Sequence, residues 1–246
     1  MSILLIVYIS IYYFIKGVVL CLASYNVFVY GIFTNGSTSG GTATQRRARL
    51  NADIAKCNQT WQTGGTSCIN FVSGGTYSTQ KIINASVLTT NQAMKNGGPV
   101  DTLISQVKGL TNNAIGIYVV YLSGDYFAGG SGRTFGTGSG RFADFRNAND
   151  YKIFGYVALT NQAAGSYALA HENGHVLFTS YDSAQNAFLT IDPSGPYINP
   201  QTNARDIAHN NNVNNIMYPT VPRNNPVITS LQCQKARQSK VVLVQN

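Results

Sequence analysis

Read for the alternation of apolar and polar positions, the chain opens its ordered part with a strand. Tyr25 to Phe33 is rich in Val and Tyr and alternates. A Gly/Ser/Thr loop covers Asn35 to Thr42, and Thr44 to Trp61 then carries Ala48, Ile54, Ala55 and Trp61 among polar residues, an amphipathic helix. Cys68 to Val72 reads as a short strand, Asp101 to Val107 as helix, and Ile115 to Leu122 as an apolar strand central in a sheet. Ala128 to Arg141 is Gly-rich. It lacks the Gly-Lys-Ser/Thr ending of a phosphate loop and is expected to be a flexible loop. Tyr151 to Leu159 is another strand, and Gln162 to Phe178 a helix with an Ala-rich start. A last helix begins at the capping box Thr229-Ser-Leu-Gln232. The order strand, helix, strand, helix, strand, strand, helix predicts an α/β (α+β) fold with one mixed sheet.

Before the first strand, Ile3 to Ile15 is apolar, Lys16 interrupts, and Gly17 to Ala23 resumes. Residues 1–24 are therefore expected to be a signal peptide cut near Ala23, or a membrane anchor, with the working domain at 25–246 in a secreted or anchored protein. An exported protein meets oxidising conditions, so Cys57 and Cys68, close in sequence around Gly64-Gly65, are expected to form a disulfide. Cys233 is then free, or bridged to Cys21 if the leader stays. Asn-x-Ser/Thr triplets stand at Asn35, Asn58 and Asn84.

Hydrophobic residues make up 44% and charged ones 11% of 246 residues, which is enough apolar chain for a real core and excludes a disordered segment. Net charge is +8, with small clusters at Arg46, Arg47 and Arg49 and at Lys235, Arg237 and Lys240. The plain reading of these is a solvated surface. Attraction to acidic substrates, cell walls or nucleic acid is the functional one. Aromatic-interleaved basic motifs are missing, so nucleic acid is not expected as a partner.

Acidic residues total nine; eight are Asp, which leaves Glu172 as the single Glu. It lies between two of only three His, in His171-Glu172-Asn173-Gly174-His175. On a helix, residues four apart share a face, so the two imidazoles can hold one zinc ion with Glu172 beside them as a base. Shuffling this composition produces the motif roughly once in ten thousand chains. A catalytic zinc needs a third protein ligand. No second Glu exists to supply it, which leaves His209, with Asp182 and Asp206 as alternatives.

Eight residues after His209 come Met217-Tyr218-Pro219. With these motifs the sequence resembles the metzincins, zinc endopeptidases with the pattern H-E-x-x-H-x-x-G-x-x-H followed by a Met-turn. The spacing from His209 to Met217 and the following Tyr-Pro resemble the matrixin-like branch. Phe178 stands where the family has a turn Gly, and Tyr181 where the third His would fall. The resemblance therefore implies an insertion of 28 residues (209 minus 181), like the long one in the leishmanolysin-like branch. It implies a helix running past its usual stop, an excursion, and a return at His209. The similarity covers Tyr151 to about Val241.

Further implications of the resemblance are a two-lobed catalytic domain, an upper lobe of about 25–178 and a lower lobe of about 179–246, and one catalytic zinc on His171, His175 and His209. Glu172 would be the general base acting on a protein or peptide substrate, and Met217 an apolar floor. An extended substrate would pair with an edge strand near Tyr151 to Leu159, and residues 219–228 would wall the pocket beyond the scissile bond. A monomer is expected. Two rival readings stand: a zinc peptidase of another clan with Asp182 or Asp206 as third ligand, and a non-enzymatic surface-binding protein whose zinc is structural.

Overall fold

The computed structural model describes residues 23–63, 68–129 and 134–245. Most of the expected leader, the Gly64-Gly65 turn and part of the Gly-rich stretch lie outside the described residues. Fifteen elements frame the site. In chain order they are β1 (Ser24–Phe33), α1 (Ala43–Trp61), β2 (Asn70–Ser78), α2 (Thr90–Met94), α3 (Pro99–Leu110), β3 (Ile117–Tyr121), β4 (Gly136–Asn147) and β5 (Asp150–Leu159). There follow α4 (Ala168–Leu177), β6 (Thr179–Asp182), β7 (Ala187–Thr190), β8 (Tyr197–Ile198), β9 (Arg205–Asp206), α5 (Ser230–Arg237) and β10 (Leu243–Gln245). Among the described residues no helix is long and apolar enough to cross a membrane.

The fold is mixed α/β around one mixed six-stranded sheet. β2, β1, β3 and β5 run parallel in that spatial order, β4 closes one side antiparallel to β5, and β10 pairs with the start of β1. Every residue of β3 is buried, which is why it reads as an unbroken apolar run. Alternate residues divide between two cores. Ile117, Val119 and Tyr121 face α1 and α4, while Tyr118 and Val120 face α3. α1 begins at a capping box made by Thr42 and Gln45 and buries Leu50, Ile54, Cys57 and Trp61 along one stripe. Trp61 crosses to α4, where its indole N–H donates to the Ala170 carbonyl at 3.0 Å.

Several expectations need correcting. The Gly-rich stretch is not all loop: from Gly136 it is strand β4, paired along β5 from Gly136↔Leu159 onward. β5 is therefore an interior strand, and the edge belongs to β4. Arg49 is not on a solvated surface but buried, its guanidinium bonded at 2.9 Å to buried Asp53, which also accepts from the Tyr121 hydroxyl. The Asn58 side chain is committed to the Phe71 backbone through both its atoms, which closes that triplet to modification in the fold.

The disulfide is also different. Cys68 bridges to Cys233, with their Cα atoms 5.6 Å apart, and Cys57 is a free thiol. Helical periodicity explains the change: Cys57 lies on the stripe of α1 that faces α4, where its sulfur receives the Asn173 amide. Cys68, at the entry to β2, meets the buried side of α5 instead. Burial pushes the Cys57 thiol well above the usual thiol range.

Candidate metal centre

α4 brings the first two histidines together. It begins later than the apolar pattern suggests, because Asn161–Ala163 forms a short 3-10 turn and Gly165 takes φ +72°, a left-handed kink the helix cannot pass through. It also ends without overrunning: Leu177 is its last residue, and the Thr179 hydroxyl caps the His175 carbonyl at 2.7 Å. The longer helix that the resemblance implied is thus not present. The chain turns at Phe178 directly into the β6–β7 hairpin, and the excursion is built as that hairpin followed by β8–β9.

Within α4, His171 and His175 share a face as the four-residue spacing requires, and their Nε2 atoms lie 3.2 Å apart. Two ligands on one tetrahedral ion, with bonds of about 2.0–2.1 Å, would sit about 3.3–3.4 Å apart. His209 returns to the same place, and the three residues' ligand atoms all lie within 4.8 Å of one another. The third ring comes in nearly parallel to His171, at 5.4 Å between centroids.

Proton placement selects which nitrogens face inward. His171 Nδ1 donates to the Ile216 carbonyl at 2.6 Å, leaving Nε2 as a lone-pair donor. His209 Nδ1 donates to Asp206 Oδ2 at 2.7 Å and likewise frees Nε2. Burial holds the His171 imidazole down at about 4, with His209 nearby adding to the effect and the Ile216 carbonyl opposing it. Burial first, then the neighbouring His171 and His209, keeps His175 well below the ordinary histidine range. Three imidazoles with ring nitrogens converging on one point are a donor set that a borderline-soft divalent cation takes.

The other acids fall into place around this. Asp182, at the end of β6, accepts from the amides of Ala184 and Gln185 and so closes the hairpin turn; it is not part of the histidine group. Asp206 sits on the outer nitrogen of His209 and also accepts from the Ala208 amide at 3.0 Å. It orients the His209 ring and is not part of the histidine group.

Glu172 is buried beside the histidines, and burial pushes its carboxyl up to about 8. β4 makes the room for it. Gly136, Gly138 and Gly140 recur every second residue and so share the sheet face that meets α4. A Cβ on Gly136 would stand 2.6 Å from Glu172 Oε1, and one on Gly138 2.7 Å from the Glu172 carbonyl oxygen. Period-two glycine was the signal that the loop reading passed over.

Beneath the rings, Met217 is fully buried, and a Cβ on Gly174 would overlap its sulfur. Gly174 therefore lets the turn pack against the helix. Tyr218 and Pro219 follow, with Pro219 on the cleft wall and the Tyr218 ring edge-on to Tyr197. A buried polar cluster fixes this turn to the excursion. Gln232 on α5 donates through Nε2 to the Asp192 carboxylate and to Asn215 Oδ1, while its Oε1 accepts from Asn215 Nδ2. Asn215 Oδ1 in turn accepts from the Met217 amide, and the Asn210 amide donates to the Met217 carbonyl at 2.9 Å. Asp192, Asn210, Asn215 and Gln232 are roles the sequence reading did not find.

His171, Glu172, His175 and His209 all open onto one cleft of about 760 Å³. Phe135, Gly136 and Gly138 line one side of it, and Pro219, Val221 and Arg223 the other.

No family model matches this sequence, and no curated protein does. Among solved structures, the chain is similar to the crystal structure of metalloproteinase-II from Bacteroides fragilis, with a TM-score of 0.48 and 15% identity over 87% of this chain and 52% of that one. The chain thus spans about half the length of that structure.

Proposed function

We propose that this chain is a zinc-dependent endopeptidase of metzincin type, with His171, His175 and His209 as the metal ligands and Glu172 as general base. The observation that carries the reading is the convergence of three imidazoles, two of them with Nδ1 already engaged, on the floor of a cleft that also holds a buried glutamate. A structural zinc is closed by four protein ligands. Here three histidines face a cleft large enough for a peptide, which favours a site that keeps a position for solvent or substrate.

Zinc, when bound, supplies Lewis acidity, acidifying a water and polarising a scissile carbonyl. The chain's own residues do the rest. A bound cation beside Glu172 would offset the effect of burial and favour ionised Glu172, which then takes the proton of the attacking water on its carboxylate and returns it to the leaving amine nitrogen. Gly136 and Gly138 leave its side chain space against β4 without a competing side chain. β4, the edge of the sheet, presents backbone donors and acceptors to an extended peptide, in place of the interior β5. The Cys68–Cys233 bridge supports export to an oxidising compartment.

The test is metal analysis of purified protein combined with casein cleavage, with and without chelator, for wild type and Glu172→Gln. Retained zinc with cleavage reduced by more than about 100-fold in the variant is expected. Near-normal cleavage by Glu172→Gln would remove the base from the mechanism.

A further inference from the structure

Resting on that peptidase reading, we infer that the cleft selects peptides carrying an acidic side chain close to the scissile bond, and that Arg223 is the residue that selects them. Among the described residues, the charged ones lining the cleft are Glu172 and Arg223. Glu172 is buried at the floor, whereas Arg223 is exposed on the wall, where a bound peptide's side chains pass.

Arg223 has no carboxylate of its own. The ion pairs among the described residues join Arg49 to Asp53, Arg146 to Asp150, Lys152 to Asp144 and His209 to Asp206; none includes Arg223. Asp192 is buried against Gln232, and Asp182 is occupied in its turn. The protein has seventeen Lys and Arg against nine acids, and none of the ion pairs among the described residues reaches the cleft wall, which keeps an unpaired cation.

The backbone that carries Arg223 is also held in place. The wall runs between two fastened ends. At one, Ile216 and Val227 exchange backbone contact through a 3.0 Å bond, with Met217 tied to Asn215. At the other, Asn225 Oδ1 accepts from Gln59 Nε2 at 2.9 Å and from the Tyr167 hydroxyl at 3.1 Å. Pro219, Pro222 and Pro226 restrict the backbone between and beside them, and Val221 packs on the core. A side chain carried on an anchored backbone loses less freedom on pairing than one on a loose loop. Together with the net charge of +8, it also raises the encounter rate of acidic peptides.

The experiment uses full-chain, zinc-loaded protein and one neutral parent peptide with a neutral fluorophore. Glu, Gln or Lys is placed in turn at each of the three positions on either side of the cleaved bond. Binding is measured on the Glu172→Gln variant by anisotropy, and kcat/KM on the enzyme with Glu172 intact. At one position, Glu is expected to beat Gln by about 5-fold and Lys by about 25-fold at low salt, the upper scale of an exposed ion pair applied once and twice. The order should collapse near 1 M salt. Arg223→Ala should flatten it and Arg223→Glu should reverse it at that same position. Absence of a Glu preference at every position, or the same preference in Arg223→Glu, overturns the inference. Charge-ordered binding with no cleavage of any peptide supports the role of Arg223 and sinks the peptidase reading. Cleavage without charge order sinks only the role of Arg223.

Discussion

Removing the negative charge behind His209 should weaken the metal site without disturbing the fold. Asp206 uses both oxygens: Oδ2 receives His209 Nδ1–H and Oδ1 receives the Ala208 amide. Asp206→Asn cannot serve both, because one of its two side-chain atoms is now a donor. If Oδ1 stays on Ala208, the amide nitrogen points at His209 Nδ1, which must then accept and carry its proton on Nε2, the atom that faces the other histidines. If the amide flips, the Ala208 contact is lost. Either way the ligand tautomer or its aim is damaged. Loss of an outer partner of this kind typically costs 10- to 100-fold in metal affinity. Asp206 is half-exposed, so the lower end, about 10-fold for Asn and somewhat more for Ala, is expected. Competition against a chromophoric zinc chelator measures it directly, and the cobalt-substituted protein should show an altered visible spectrum. The thermal midpoint of the metal-free protein should stay close to wild type. Affinity within 2-fold of wild type for both variants would mean that Asp206 is a surface pair of no consequence to the site.

His209→Ala should lose zinc while Asp182→Ala keeps it, as metal content after gel filtration will show; retention by His209→Ala would reopen the choice of third ligand. Zinc at 100 times its Kd adds about 2.7 kcal/mol of stability, so melting should rise by roughly 5–11 °C on adding zinc to metal-free protein. Gly174→Ala gains about 1 kcal/mol of helix propensity but drives a methyl into Met217, an overpacking cost of about 1–3 kcal/mol, so a lower urea midpoint is expected. Non-reducing peptide mapping should find Cys68 joined to Cys233 and Cys57 alkylated only after unfolding.

What the sequence revealed followed the range of the interaction involved. The α4 pair needed only a four-residue spacing on one helix, and the central position of β3 only its unbroken apolar run. The disulfide failed because closeness along the chain was taken for closeness in space. Cys57 is turned by helical periodicity toward α4, and its sequence neighbour Cys68 finds a partner 165 residues away. β4 was missed because glycine lowers strand propensity, and in this strand glycine is selected by the helix lying against it rather than by the strand itself.

His209 is the instructive case, since its distance from His175 would have excluded it. Its legibility came from the other direction, through the eight residues to Met217. The structure gives that register a physical basis. Backbone and side-chain bonds from Asn210 and Asn215 bracket Met217 at its carbonyl and amide, so the segment from the third histidine to the buried methionine behaves as one rigid piece. The 28 residues before it need only deliver that piece, and they are fastened to it at Asp192 through Gln232. The aim of His209 would then divide between this fastening and the spacing to Met217. Gln232→Ala tests this division. It orphans the Asn215 side-chain nitrogen and Asp192 Oδ2, while Asn215 Oδ1 keeps the Met217 amide and Asp192 Oδ1 the Ser194 amide; each orphaned group costs about 1–3 kcal/mol. If that network aims His209, zinc affinity should fall together with stability, and Gln232→Glu should not rescue it, because a carboxylate there faces Asp192. A Gln232→Ala protein that is destabilised yet binds zinc like wild type would show that the histidine is aimed by Asp206 and the Met217 segment alone.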